Sequence, residues 1–186
     1  MDSPRPRLPL ALLFLLIVVV ACSSPSPSIS AGPAVTPIIE VSFSPKGGAT
    51  EAVVSELSNA KQEILVQAYS FTSAPIAKAL VDAQKRGVKV TVVLDKSQRS
   101  KKYSSADFVN NARIPTYIDA KYAIAHNKIM IIDGATLITG AFNFTKAAEE
   151  KNAENLLVIR GAAGLVKKYL ANFEEHLGHS EKYEGR

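Results

Sequence analysis

The sequence has little cysteine, little net charge and no long apolar span, and each shortage excludes something. One cysteine in 186 residues, Cys22, leaves no disulfide framework and no cysteine-built zinc cluster. No helix-turn-helix or zinc-finger pattern is present, so nothing in the chain is built to read base edges. No internal repeat is visible, which excludes solenoid architectures. The longest apolar run, Leu8 to Ala21, falls short of the roughly 20 residues that a membrane span needs. What remains, 47% hydrophobic and 21% charged residues, is ordinary for one globular domain with a real core.

The apolar run follows Arg5 and Arg7 and ends at Val19-Val-Ala-Cys22, a basic segment, a hydrophobic segment and small residues before a cleavage point. Residues 1–22 therefore read as a signal peptide. Val-Val-Ala-Cys resembles the bacterial lipobox, which implies lipidation of Cys22 and a membrane anchor. An ordinary leader with an incidental cysteine is the plainer alternative. Residues 23–37 are mostly Ser, Pro, Ala and Gly, cannot bury a core, and read as an extended tether. The working domain, 38–186, is expected outside the cytoplasm, periplasmic or on the cell surface. The chain carries +5 formally and stays mildly basic without its leader, which favours an anionic partner without choosing between nucleic acid and lipid head groups.

Patterning predicts an α/β domain. Strands are expected at Ile38–Phe43, Glu63–Ser70, Val88–Leu94, Ile114–Ile118 and Asn155–Arg160, and helices at Ala49–Ala60, Ala74–Arg86, Ser105–Asn111 and Gly161–Leu177. Strand, helix, strand over 63–94 implies a right-handed crossover and a parallel pair. Asp133-Gly134 predicts a hairpin joining Asn127–Ile132 to Ala135–Thr139. Gly47-Gly48 reads as a turn before a helix cap, with a phosphate approach as the alternative. The basic stretch Lys96, Arg99, Lys101, Lys102, Tyr103 reads either as a solvated connection or as a patch for backbone phosphates.

The chemistry-bearing stretch is His126-Asn-Lys128-Ile-Met-Ile-Ile-Asp133, followed by Gly140-Ala-Phe-Asn143 and Glu154. On a strand, residues two apart share a face, so His126 and Lys128 are expected to meet one small anion together. An imidazole serves as nucleophile or acid, and an ammonium holds a phosphoryl oxygen. An isolated H-x-K reads more simply as a satisfied strand-edge histidine and a solvated lysine. The full pattern H-x-K-x4-D-x6-G-x-x-N arises by chance less than about once in ten thousand chains of this length.

This pattern, with Gly140-Ala-Phe-Asn-Phe-Thr-Lys-Ala-Ala-Glu and Lys151-Asn-Ala-Glu-Asn155, resembles the H-K-D motif of the phospholipase D superfamily, and in particular its small single-motif bacterial endonucleases. The resemblance runs from about Val41 to the end of the last helix. It implies a phospholipase D-like α/β/α sandwich, with a mixed, largely parallel sheet flanked by helices. It also implies a homodimer in which two motifs form one site, with no cofactor and no metal. One His126 would attack phosphorus while the partner's His126 protonates the leaving alcohol. Lys128, Asn143 and Gly140 would bind the phosphate, and Glu154 would orient His126. Asp133 would support the motif turn and pair with Lys128, a plain turn aspartate being its simpler reading. Ala141 stands where Ser or Gly is usual, so a hydroxyl contact there is lost. His176 and His179, three apart, could touch a metal, but a solvated helix end is the favoured reading. The expected function is a metal-independent endonuclease acting on DNA or RNA. A phospholipase D acting on phosphatidyl head groups is the first alternative, and a silent lipoprotein that only binds nucleic acid the second.

Overall fold

The hairpin around Asp133-Gly134 forms, and it governs how the strands are ordered. Both turn residues have positive φ, 53° and 61°, and the Ala135 N–H donates to the Ile132 carbonyl at 3.0 Å. An Asp-Gly pair adopts that mirror-image turn at little cost. The structure, a computed structural model, describes residues 36–102 and 104–185. The leader with Cys22, the tether as far as residue 35, and Tyr103 lie outside them.

In chain order the elements are β1 (Ile38–Phe43), α1 (Ala49–Asn59), β2 (Glu63–Ala68), α2 (Ala74–Lys85), β3 (Lys89–Asp95), a 3-10 turn (Lys96–Arg99), α3 (Ala106–Asn111), β4 (Thr116–Asp119), β5 (Lys128–Ile132), β6 (Thr136–Gly140), α4 (Lys146–Glu150), β7 (Asn155–Arg160), α5 (Ala163–His179) and β8 (Glu181–Lys182). They form one mixed sheet in the order β1-β7-β6-β5-β2-β3-β4-β8. The α/β sandwich is as expected, but the largely parallel sheet is corrected. Among the described residues only β2–β3 and β3–β4 pair in parallel, and every other neighbour is antiparallel. Helical crossovers enforce parallel pairing only over 63–119; the tight turn at Asp133-Gly134 sets β6 against β5, and longer connections bring the other neighbours in antiparallel.

Both faces of the sheet are covered. On one face Val53 and Leu57 of α1, Ile76 and Leu80 of α2 and Val109 of α3 pack on Ile64, Val66, Val92 and Met130. On the other, Val166 and Phe173 of α5 pack on Leu65, Val93, Ile129 and Ile131. Being covered on both sides, β5 is buried at all five positions, which explains its unbroken apolar run after Lys128.

Gly47-Gly48 makes the turn and not a phosphate contact. A Cβ on Gly47 would lie 1.6 Å from the Phe43 carbonyl oxygen, and Gly48 has φ 82°. The α1 N-terminus is already occupied: Glu149 of α4 accepts from the Gly48 N–H at 3.3 Å and the Thr50 N–H at 2.8 Å.

Candidate active site

The carboxyl end of β2, the start of β5 and the loop after β6 meet at one end of the central strands, because β2 pairs antiparallel with β5 through Ala68 and Lys128. His126 lies two residues before β5, in extended chain outside the ladder, so the expectation of one shared strand is corrected. The pair meets all the same. Lys128 Nζ donates to the His126 carbonyl at 2.7 Å and lies 3.0 Å from His126 Nδ1. His126 is exposed, whereas Lys128 is only 6% exposed. Burial pushes the Lys128 ammonium below the ordinary lysine range, and the Glu154 charge opposes that shift. A poorly hydrated cation beside an accessible imidazole suits an anion arriving from solvent.

Tyr69, which sequence reasoning missed, completes the pair. Its ring centroid is 4.5 Å from that of His126, and Lys128 Nζ lies 5.0 Å from the same ring. Its N–H donates to the Asn127 carbonyl at 2.8 Å, tying the end of β2 to the stretch that carries the motif. Only the pairing of β2 with β5, a tertiary fact, signals this residue.

Asn143 sits between Phe142 and Phe144, both fully buried, so the two rings anchor the loop and leave the amide at the edge. Phe144 is tied to β2's end by a bridge to Phe71 and by its carbonyl, which accepts from the Thr72 and Ser73 N–H groups. The Asn143 side-chain oxygen is buried without a hydrogen-bond partner. Its residue lines a cleft of about 390 Å³ with Tyr69, Ser70, Lys101, Thr145 and Asn152. Of the basic stretch, Lys101 reaches this cleft and donates to Ser70 Oγ at 2.9 Å. Arg99 instead pairs with Glu181, and Lys96 donates to the Tyr122 carbonyl.

Glu154 is at the site but not on His126. Its carboxylate accepts from the Asn143 N–H at 2.6 Å and from Asn152 Nδ2 at 2.7 Å, while His126 Nδ1 faces Lys128. The expected Glu154–His126 bond is therefore replaced by bonds that hold the Asn143 loop. Gly140, expected as a phosphate contact, has a packing reason of its own. At φ 141° a Cβ there would lie 2.3 Å from the Asn155 carbonyl oxygen.

Asp133 is the clear departure from the expected set. Its carboxylate accepts from the N–H groups of Lys61, Gln62 and Glu63 at 2.9, 2.8 and 2.9 Å. Burial alone pushes its pKa up, but those three N–H groups together hold it below the ordinary carboxylate value. Five strand residues at about 3.3 Å each put it about 16 Å from Lys128, so the two do not pair. Its motif position is that of a turn residue locking β5 to the start of β2.

Comparison with known proteins agrees with this geometry. The family described as "Cardiolipin synthase, PLD-like domain" matches residues 53–177. A protein named "Phospholipase D" from Rickettsia felis is 41% identical over 135 residues, 73% of this chain and 67% of that protein. The crystal structure of Nuc from Salmonella typhimurium, a phospholipase D family member, is 39% identical with a TM-score of 0.77, covering 80% of this chain and 99% of that one. NucT from Helicobacter pylori, at 24% identity and a TM-score of 0.73, shares the fold. With the fold, the H-x-K pair and these likenesses in agreement, the chain belongs to the phospholipase D superfamily, as a phosphodiester hydrolase of the small Nuc-like type.

Proposed function

We propose that this phosphodiesterase is a metal-independent endonuclease cutting DNA or RNA with little sequence preference, through a phosphohistidine intermediate in a homodimer. The observation that carries the substrate class is the cleft lined by Tyr69, whose ring lies against His126. Its lining of Ser70, Lys101, Asn143, Thr145 and Asn152 offers hydrogen-bonding groups and a cation to a phosphate backbone.

In the reaction, Nε2 of one His126 attacks phosphorus. The bond from phosphorus to the leaving oxygen breaks, and the partner's His126 delivers the proton that oxygen needs. Water then attacks the phosphohistidine and gives its proton to the partner's His126, which restores both rings. Lys128 and the Asn143 amide bind the phosphoryl oxygens, and Gly140 lets the Asn143 loop close on the sheet. A lysine ammonium at Nδ1 is a donor, so a neutral His126 ring held this way carries its proton on Nε2, and the leaving-group acid is the partner's ring protonated on both nitrogens. The nucleophilic form needs Nδ1–H accepted elsewhere, and Glu154 is the carboxylate that charges the same neighbourhood.

A second copy has a natural seat. Ile39, Val41 and Phe43 of edge strand β1 point to one face and are 62, 51 and 66% exposed. Phe43 pairs with Asn155, next to Glu154, so this stripe ends at the same end of the sheet as the motif and offers an apolar surface to a second copy. Export and tethering through Cys22 are proposed from the leader alone.

The likeness to "Phospholipase D" proteins at 41% identity favours a second reading, hydrolysis of phosphatidyl head groups by the same residues. One experiment separates the readings. The full chain and its His126→Asn variant are incubated in EDTA with supercoiled plasmid, RNA and phosphatidylcholine vesicles. Cleavage of nucleic acid by the wild type alone supports the nuclease, and choline release alone supports the lipase. Activity retained by His126→Asn refutes both. Subunit mixing then tests the shared site: with equal amounts exchanged, about a quarter of the dimers keep both histidines, so activity near one quarter is expected and one half would refute sharing.

A further inference from the structure

Three groups that the reaction does not use are gathered at the same end of the sheet as the site, where β4 finishes. Asp119 is fully buried, and His176 and His179 stand one turn apart on α5. The expectation of a solvated helix end is thus corrected, since His176 is 7% exposed. His176 Nδ1 lies 2.5 Å from Asp119 Oδ2, and His179 Nε2 lies 3.3 Å from Asp119 Oδ1. The second pair is close but misaligned: His179 Nε2 is buried and makes no hydrogen bond.

A hydrogen-bonded cluster alone leaves that imidazole nitrogen unsatisfied. An ion shared by the three groups satisfies it. The three ligand atoms lie within 4.8 Å of one another. A tetrahedral ion with bonds of about 2.0–2.1 Å spaces its ligand atoms about 3.3 Å apart. The His179 Nε2–Asp119 Oδ1 distance already has that value, and His176 Nδ1, which bonds the other carboxylate oxygen, Oδ2, has to shift to share the ion. Two imidazoles and a carboxylate suit zinc and its first-row neighbours, and not calcium or magnesium. The Lys121 N–H donates to Asp119 Oδ1 at 3.1 Å and so orients the carboxylate, as outer partners of metal ligands do. The Tyr122 ring flanks both imidazoles at 5.2 and 5.5 Å, and a water carried in with the ion would be the fourth ligand.

We infer that Asp119, His176 and His179 form a structural zinc-type cation site that ties α5 to the end of β4. The site also braces the approach to His126. From Tyr122 the chain runs to Ala125, whose N–H donates to Asp95 at 2.8 Å, and His126 follows directly. The ion takes no part in phosphoryl transfer, because none of its ligands belongs to the His126 cluster.

The full chain, stripped of metal by a chelator and desalted, is titrated with zinc chloride by calorimetry and followed by thermal melting, and cobalt replaces zinc for visible absorption. One ion per chain is expected, with a cobalt spectrum of four-coordinate nitrogen and oxygen ligation. At free zinc 100 times Kd, Tm rises by about 5–10 °C. His179→Gln, on the exposed rim, weakens zinc binding by about 100-fold or more and abolishes the Tm rise, whereas His126→Asn changes neither. Absence of zinc binding by the wild type overturns the proposal. So does binding that survives His179→Gln or is lost in His126→Asn.

Discussion

The two ends of β5 are built on opposite principles. At the Asp133 end every accepting position in use is answered by backbone: three N–H groups converge on one carboxylate and fasten a turn. At the Lys128 end a buried ammonium meets a carbonyl, an imidazole and a ring face, with the Glu154 charge near, and Asn143 of the neighbouring loop keeps an unpartnered oxygen. The first end lowers the free energy of the fold. The second leaves polar groups under-satisfied, as a site that must accept a phosphate does. A five-residue strand with one motif thus carries stability at one end and chemistry at the other.

Lys128→Met should break this contrast most strongly. Removing the cation is expected to lower kcat by about 1000-fold in a plasmid-cleavage assay, while Tm stays equal or rises. The pH sign follows from the depressed folded pKa. The folded state holds its proton less tightly than the unfolded state, so the charge costs stability below that pKa. The cost fades as pH climbs through it toward the ordinary value of 10.5, a slope the variant lacks. A variant with lower Tm would show that Lys128 stabilises the fold.

Asp133→Asn should do the reverse, keeping cleavage within about threefold and losing about 1–2 kcal/mol in urea unfolding at neutral pH, a figure discounted for the partial exposure of the group. Because its folded pKa lies below the ordinary 3.8, the stability it contributes is present above that value and lost as pH falls through the folded pKa. Loss of activity without loss of stability would return Asp133 to the chemistry.

Lys101→Ala sharpens the comparison at the cleft and has the smallest effect. KM for long nucleic acid should rise about 3- to 10-fold with kcat little changed, and the salt dependence of binding should lose about one unit of slope. An unchanged slope would remove Lys101 from the substrate path.

Much of this was legible in the chain. The hairpin, the helices over 49–60 and 74–86 and the H-x-K spacing follow from local rules, because turn chemistry and side-chain period act over a few residues. Those rules do not say which strands become neighbours. Local rules therefore predict more parallel pairing than forms, and they carry no signal for the two-residue strand β8. Tyr69 carries no motif signal, and it reaches His126 only because β2 lies against β5.

By itself the sequence determined which residues hold the chemistry, where the chain turns and which helix faces are apolar, all properties of neighbours along the backbone. Tertiary structure alone decided that Asp133 stands a strand's length from Lys128, that Glu154 holds the Asn143 loop, and that Asp119 meets His176 across 57 residues of chain. Such meetings depend on strand order and helix docking, which are settled by burying both faces of one sheet at once.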